Sequence, residues 1–185
     1  MVTAVQKLAT AADLAAAEGD RLEVVAGVLV EKAAPSFEHG DVQGAIQELL
    51  RPPFLRGRGG PGGWWFASEV EVEFGVNDVF LPDVAGWRRE RVSERPQGRP
   101  VRHRPDWVCE IVSPSTASRD HVTKQRAYHR AAVPHYWIVD PIARTLLVHR
   151  WHAEGYLVVL TATAPDTVRA EPFDAIAIEL ETLFG

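Results

Sequence analysis

Asp106-Trp107-Val108-Cys109-Glu110-Ile111-Val112 is an almost wholly apolar run that carries two carboxylates. Its length and its β-branched and aromatic content predict a strand. Alternation puts Asp106, Val108, Glu110 and Val112 on one face and Trp107, Cys109 and Ile111 on the other. A helical pattern follows over 118–132, and then a β-rich run, His135-Tyr136-Trp137-Ile138-Val139.

Upstream, residues 8–17 predict a short helix with Thr10 as a cap, and Leu22–Val25 and Val28–Glu31 predict a hairpin around Ala26-Gly27. Ser36 is placed to cap a helix over 37–50, with Val42, Ala45, Ile46, Leu49 and Leu50 at helical spacing and Pro52-Pro53 as its stop. Trp64 to Phe74 predicts a strand with Glu69, Glu71 and Glu73 on one face, and Val79 to Trp87 its hairpin partner. The Gly-rich connector 56–63 lacks the Lys-Ser/Thr pair and the following helix of a phosphate-binding loop. Downstream, Leu146–Trp151 and Tyr156–Thr161 predict another hairpin, and 173–184 a strand ending in a helical turn. The order helix–strand–strand–strand–helix–strand is mixed α/β, with extra N- and C-terminal β-hairpins. One domain is expected over 1–185: a helix and hairpin at 8–34, a core at 36–141 and a β-extension at 142–185.

The 185 residues are 46% hydrophobic and 24% charged, which excludes disorder and coiled coil. No run of apolar residues is long enough to span a membrane. The absence of a leader pattern and a single cysteine, Cys109, point to a reducing, cytoplasmic setting. The net charge of −5 is unevenly spread: residues 88–104 hold seven Arg against two Glu. Only three residues are lysines: Lys7, Lys32 and Lys124.

Asp83 and Glu110 each sit inside an apolar strand, where a carboxylate is costly unless paired or bound to a cation. Side by side they offer oxygen ligands to a hard divalent ion. The alternative is that each pairs with an Arg or ends a strand at the surface. Lys124, on the helix after the Glu110 strand, is in reach of that strand's C-terminal end, although helix lysines are usually solvated. Cys109 faces away from Glu110, into packing. His121, His129, His149 and His152 have no third ligand in view and read as surface histidines. Trp64-Trp65 suit the core better than stacking on bases.

Pro105-Asp106-Trp107-Val108-Cys109-Glu110-Ile111-Val112-Ser113-Pro114-Ser115-Thr116 resembles the signature of the Uma-two family, regarded as restriction endonucleases of the PD-(D/E)XK superfamily. The resemblance continues through Arg119-Asp120, Lys124, Tyr128, Val133-Pro134 and Tyr136 to Pro141. Upstream it takes in Leu81-Pro82-Asp83-Val84, Leu22-Glu23 to Gly27-Val28, and Pro35-Ser36 to His39-Gly40. It implies a restriction-endonuclease-like core, with Asp83 and Glu110 as catalytic, metal-holding residues for Mg²⁺ or Mn²⁺. The motif lysine should stand at 112, where this chain has Val; Lys124 matches the family's helix lysine and is its implied replacement as the third catalytic residue. Glu69 and His39 are additional candidates for the site.

The function these readings imply is metal-dependent phosphodiester hydrolysis, with DNA as substrate. Arg88, Arg89, Arg102 and Arg104 of the basic loop are expected to meet the phosphate backbone; a solvated connector is the alternative. A homodimer is expected, because the extra hairpins leave strand edges and the strands of a duplex are related by two-fold symmetry. Two other functions stay open: a nuclease-fold protein that binds nucleic acid or protein without cutting, and a structural dimer whose carboxylates are only paired.

Overall fold

A computed structural model describes residues 7–19, 21–112 and 118–185. The motif residues at 113–117, the side chains at 118–121 (His121 among them) and the N-terminal residues 1–6 lie outside what is described. The first helix, α1 (Ala11–Ala16), is shorter than the predicted 8–17; Asp13 accepts hydrogen bonds from the Thr10 N–H at 2.9 Å and hydroxyl at 2.7 Å. β1 (Leu22–Val25) and β2 (Val28–Glu31) form the predicted hairpin. Ala26 and Gly27 both have positive φ, 50° and 78°, as a two-residue turn matched to strand twist requires. Then comes α2 (Phe37–Leu50), as expected, with Ser36 Oγ accepting the His39 N–H.

Pro52-Pro53 do not stop the chain there. Neither proline has an N–H, so the i→i−4 ladder cannot continue. The backbone widens instead into one π turn, Arg51–Leu55, closed by Arg56 N–H to Arg51 O at 3.1 Å.

Residues 64–74 are not one strand. β3 (Trp64–Ala67) and β4 (Val72–Gly75) are separated, as are β5 (Asp78–Phe80) and β6 (Val84–Arg88). β3 pairs with β6 and β4 with β5, so the predicted hairpin exists, but its base and tip belong to different sheets. Glu69 makes one half of the break. Its φ of 54° ends strand alternation and costs a non-glycine residue about 1 kcal/mol. Pro82 makes the other half, since it has no N–H for a ladder. The two segments close on each other through Glu69 N–H to Pro82 O at 3.0 Å. Glu69 is thereby brought to the segment that carries Asp83.

The larger sheet has the order β10-β9-β8-β7-β6-β3, completed by β7 (Trp107–Ile111), β8 (His135–Asp140), β9 (Thr145–Arg150) and β10 (Leu157–Thr163). β7 and β8 run parallel, which needs a crossover; α3 (Ser118–Arg130) lies in that connection. The smaller sheet has the order β2-β1-β5-β4. The tail forms β11 (Thr167–Val168) with β12 (Ile178–Glu179), then α4 (Glu181–Phe184).

β7 is buried along its whole length. Trp107, Cys109 and Ile111 pack in one core cluster with Val42, Ile46 and Leu50 of α2. Val108 packs in another, with Phe80, Ala127 and Tyr128. Loss of the fully buried Trp107 side chain would cost about 3–5 kcal/mol. Trp64 is in the core too, against Phe173, while Trp65 lies under the Arg89 guanidinium at 3.9 Å. The predicted alternation of the β7 strand thus holds, and it leaves Glu110 on the α3 side.

Candidate active site

Asp83 follows Pro82 at the point where the two sheets part, and it is 1% exposed. Its Oδ2 accepts the Ile111 N–H from β7 at 2.6 Å. Gln43, one helical turn after His39 on α2, donates to the Asp83 carbonyl at 2.7 Å. These two bonds fix the residue from both sides. Its Oδ1 faces two nitrogens: Lys32 Nζ donates to it at 2.7 Å, and His39 Nε2 lies 3.2 Å away. Burial alone would raise the carboxyl's pKa; the adjacent His39 and Lys32 outweigh it and hold the group well below the usual carboxylate range. Glu69 approaches from the sheet break and accepts from Lys32 at 3.1 and 3.2 Å and from Arg21 at 3.3 Å.

One donor atom from each of His39, Glu69 and Asp83 lies within 4.8 Å of the others. His39 is 5% exposed; its Nε2 stands 3.2 Å from Asp83 Oδ1, and its Nδ1 has no hydrogen-bond partner among the described residues. A buried ring nitrogen without a partner is costly. An imidazole nitrogen with two carboxylates fits Mg²⁺ less well than Mn²⁺, which accepts nitrogen more readily. The residues therefore suit a divalent ion.

A second buried centre lies beyond the Leu81 backbone. Glu23 of β1, 2% exposed, accepts from the Leu81 N–H and from Lys124 Nζ, both at 2.8 Å. Lys124 Nζ also stands 3.8 Å from Glu110 Oε1. Tyr128, one turn further along α3, donates its hydroxyl to the same Glu110 oxygen. Burial pushes the Glu110 carboxyl up to about 7, with Lys124 opposing the shift and the Asp83 charge adding to it. Leu81 links the two centres, because its carbonyl accepts from Lys32 at 2.7 Å while its N–H serves Glu23.

The chain matches the family described as "Uma2: Putative restriction endonuclease" over residues 8–181. It belongs to the Uma2 family. A solved structure described as a putative nuclease belonging to DUF820, from Anabaena variabilis ATCC 29413, has the same fold: TM-score 0.74 over 95% of this chain and 97% of that one, at 18% identity. No curated protein matches in sequence.

In this Uma2 chain the expected residues fall into two groups. Asp83 stands with Glu69 and His39, while Glu110 stands with Lys124 and is outside the three-donor group found among the described residues. Two members were not foreseen. Lys32 and Glu23 both come from the N-terminal hairpin region, one at each centre. Glu23 had a readable signal: it interrupts an apolar β-run, as Asp83 and Glu110 do. Lys32 shared the rarity that drew attention to Lys124.

The basic loop is strapped to the body. Arg89 donates to the Leu55 and Trp64 carbonyls at 2.8 and 3.2 Å, and Arg104 to the Ala132 carbonyl at 2.9 Å. Arg102 pairs with Glu73 at 3.0 Å with its guanidinium still open to solvent, while Arg88 stands 3.9 Å from Glu90 with its guanidinium half-buried over the Trp64 ring. His149 is not the surface residue expected. It is 4% exposed and packs against Tyr136, and burial lowers its pKa. Cys109 is packed as expected, with burial raising its thiol pKa well above the ordinary value.

Proposed function

We propose that the chain is a metal-dependent endonuclease that hydrolyses phosphodiester bonds in DNA. The observation that carries this reading is the cluster of His39, Glu69 and Asp83, one donor atom of each within 4.8 Å of the others, inside a nuclease fold. His39, Glu69 and Asp83 would hold Mn²⁺ or Mg²⁺. When bound, such an ion supplies Lewis acidity toward a phosphate oxygen and a more acidic water. The chain's own residues supply the rest. Glu110, with a carboxyl near neutrality, takes the proton of the attacking water as its oxygen bonds to phosphorus and the P–O bond to the leaving oxygen breaks; the leaving oxygen is protonated by solvent. Tyr128 holds the Glu110 carboxyl in place. Lys124 stabilises charge that develops on the phosphate. Arg102, which keeps an open guanidinium group, is the loop residue best suited to phosphate contact, with Arg88 beside it; Arg89 and Arg104 hold the loop in shape through backbone carbonyls. Two chains acting on a duplex would form a homodimer.

A second reading is favoured by Lys32 and Val112. An ammonium already pairs with both Asp83 and Glu69, and the motif position at 112 holds no lysine. A protein that binds nucleic acid without cutting would need no more than this. Incubation of purified protein with supercoiled plasmid and Mn²⁺ separates the two. Nicking that disappears in Asp83→Ala supports the nuclease. Plasmid retention without nicking, at any Mn²⁺ concentration, supports the binder.

A further inference from the structure

We infer that Lys32 occupies the cation position of the His39–Glu69–Asp83 cluster and has to leave it before a divalent ion can bind. The chain then carries its own competitor for the metal. This rests on the metal-binding reading above and adds to it a residue that the family resemblance does not supply.

The ammonium is seated as an ion would be. Lys32 Nζ has oxygens at 2.7 Å (Asp83 Oδ1), 2.7 Å (Leu81 O), 3.1 Å (Glu69 Oε1) and 3.2 Å (Glu69 Oε2). An ammonium has three N–H donors, so Asp83, Leu81 and Glu69 account for all of them. Its side chain is 8% exposed. The same two carboxylates provide the oxygen donors of the three-donor group, and His39 supplies the third atom. A divalent ion and an ammonium that share these oxygens repel each other in a low-dielectric site. The lone pairs that face Lys32 are therefore available to only one of them.

The position of Lys32 lets it move. It lies one residue past β2, outside any regular element, and Ala33, Ala34 and Pro35 after it are exposed. Its backbone is pinned by Lys32 N–H to Arg21 O at 2.8 Å, so displacement falls to the flexible four-carbon stem. Glu69 keeps a cationic partner when Lys32 departs, because Arg21 Nη2 stands 3.3 Å from Oε1. In the metal-free protein Lys32 holds the buried Asp83 and the half-buried Glu69 together; in the loaded protein its head is in solvent.

The chain has three lysines, which makes the test compact. Full-length protein is pulsed with an amine-acetylating reagent, with and without saturating Mn²⁺, and each lysine is read by peptide mass spectrometry. Lys7, 80% exposed, reports reagent strength, and Lys124, 4% exposed, reports global opening. Lys32 acetylation is expected to rise at least tenfold with Mn²⁺ while the other two stay unchanged. In parallel, Mn²⁺ affinity is measured by calorimetry on wild type and on Lys32→Met, with circular dichroism to check folding. A folded Lys32→Met is expected to bind at least tenfold more tightly. Bound Mn²⁺ with unchanged Lys32 acetylation overturns the proposal on the wild-type protein alone, whether or not the variant folds. A folded variant that binds no more tightly than wild type overturns it as well. Absence of Mn²⁺ binding in both proteins overturns the metal reading and this proposal together, which tells the two failures apart.

Discussion

Glu23 Oε1 and Lys124 Nζ lie 2.8 Å apart although 101 residues separate them in the chain. Both side chains are almost wholly buried. The pair ties the N-terminal hairpin to α3 and sets an ammonium beside Glu110. A buried ion pair adds little net stability, but breaking one leaves an uncompensated charge.

Glu23→Ala is therefore expected to destabilise the metal-free protein by about 3–5 kcal/mol. The Glu23→Ala/Lys124→Met double variant should recover much of that loss, because it removes the stranded ammonium. Urea denaturation of the four proteins in the cycle measures it. Single and double variants of equal stability would mean that the charges are hydrated after all.

Lys124 separates two roles by kinetics. If it acts on developing charge, Lys124→Ala cuts turnover by roughly 10²-fold or more and leaves DNA affinity nearly unchanged. If it contacts ground-state phosphate, affinity falls instead and the salt slope drops by about one unit. The first outcome is expected, since Lys124 is 3% exposed and held by Glu23. Single-turnover cleavage with binding titrations at several salt concentrations distinguishes them.

Stability should fall as pH rises through the slightly acid range, and Glu110 is the cause. Its folded pKa of about 7 lies above the ordinary 4.5. Between those values the native state binds more protons than the unfolded state, so the slope of stability against pH is negative. Its contribution is full below about pH 4.5 and is lost as pH climbs through 7. At roughly 1.4 kcal/mol per pKa unit, the loss is on the order of 3 kcal/mol. Glu110→Gln should flatten this part of the profile in metal-free denaturation from pH 4.5 to 8. A profile that matches wild type would place the proton elsewhere.

The sequence made the β7 strand, α2 and the first hairpin legible because each rests on a local signal: an apolar run, helical spacing after Ser36, and a two-residue turn. It made the carboxylates Asp83 and Glu110 legible by the cost of placing charge among apolar residues, although Asp83 lies in the bend between β5 and β6 rather than in the strand expected for it. It hid the split between the sheets. Period-two alternation continues through 69–73 and gives no sign of the left-handed Glu69 that sends β3 and β4 to different sheets. It hid Lys32 for a related reason. Lys32 lies 51 residues from Asp83, and nothing local in Glu31-Lys32-Ala33 says that the chain will fold this ammonium against two acids. Partners set by tertiary packing are read only after the topology is known.

β2 is expected to carry the association of two chains. It is the edge of the smaller sheet, and all four of its residues are exposed, including Val28 at 56%, Leu29 at 40% and Val30 at 40%. An edge with unpaired backbone groups and apolar side chains is a template for another strand. Phe37, at the start of α2, is 84% exposed and extends the apolar surface near the hairpin. A stable interface takes about 800 Å² from each partner, more than one short strand supplies, so the helix start would have to contribute. The competing arrangement is a monomer whose edge stays bare. Light scattering at micromolar concentration should give twice the chain mass of 20.5 kDa. Leu29→Lys should return the mass to that of one chain, because a charge on the edge strand blocks pairing. A mass near one chain for the wild type at all concentrations would sink the prediction.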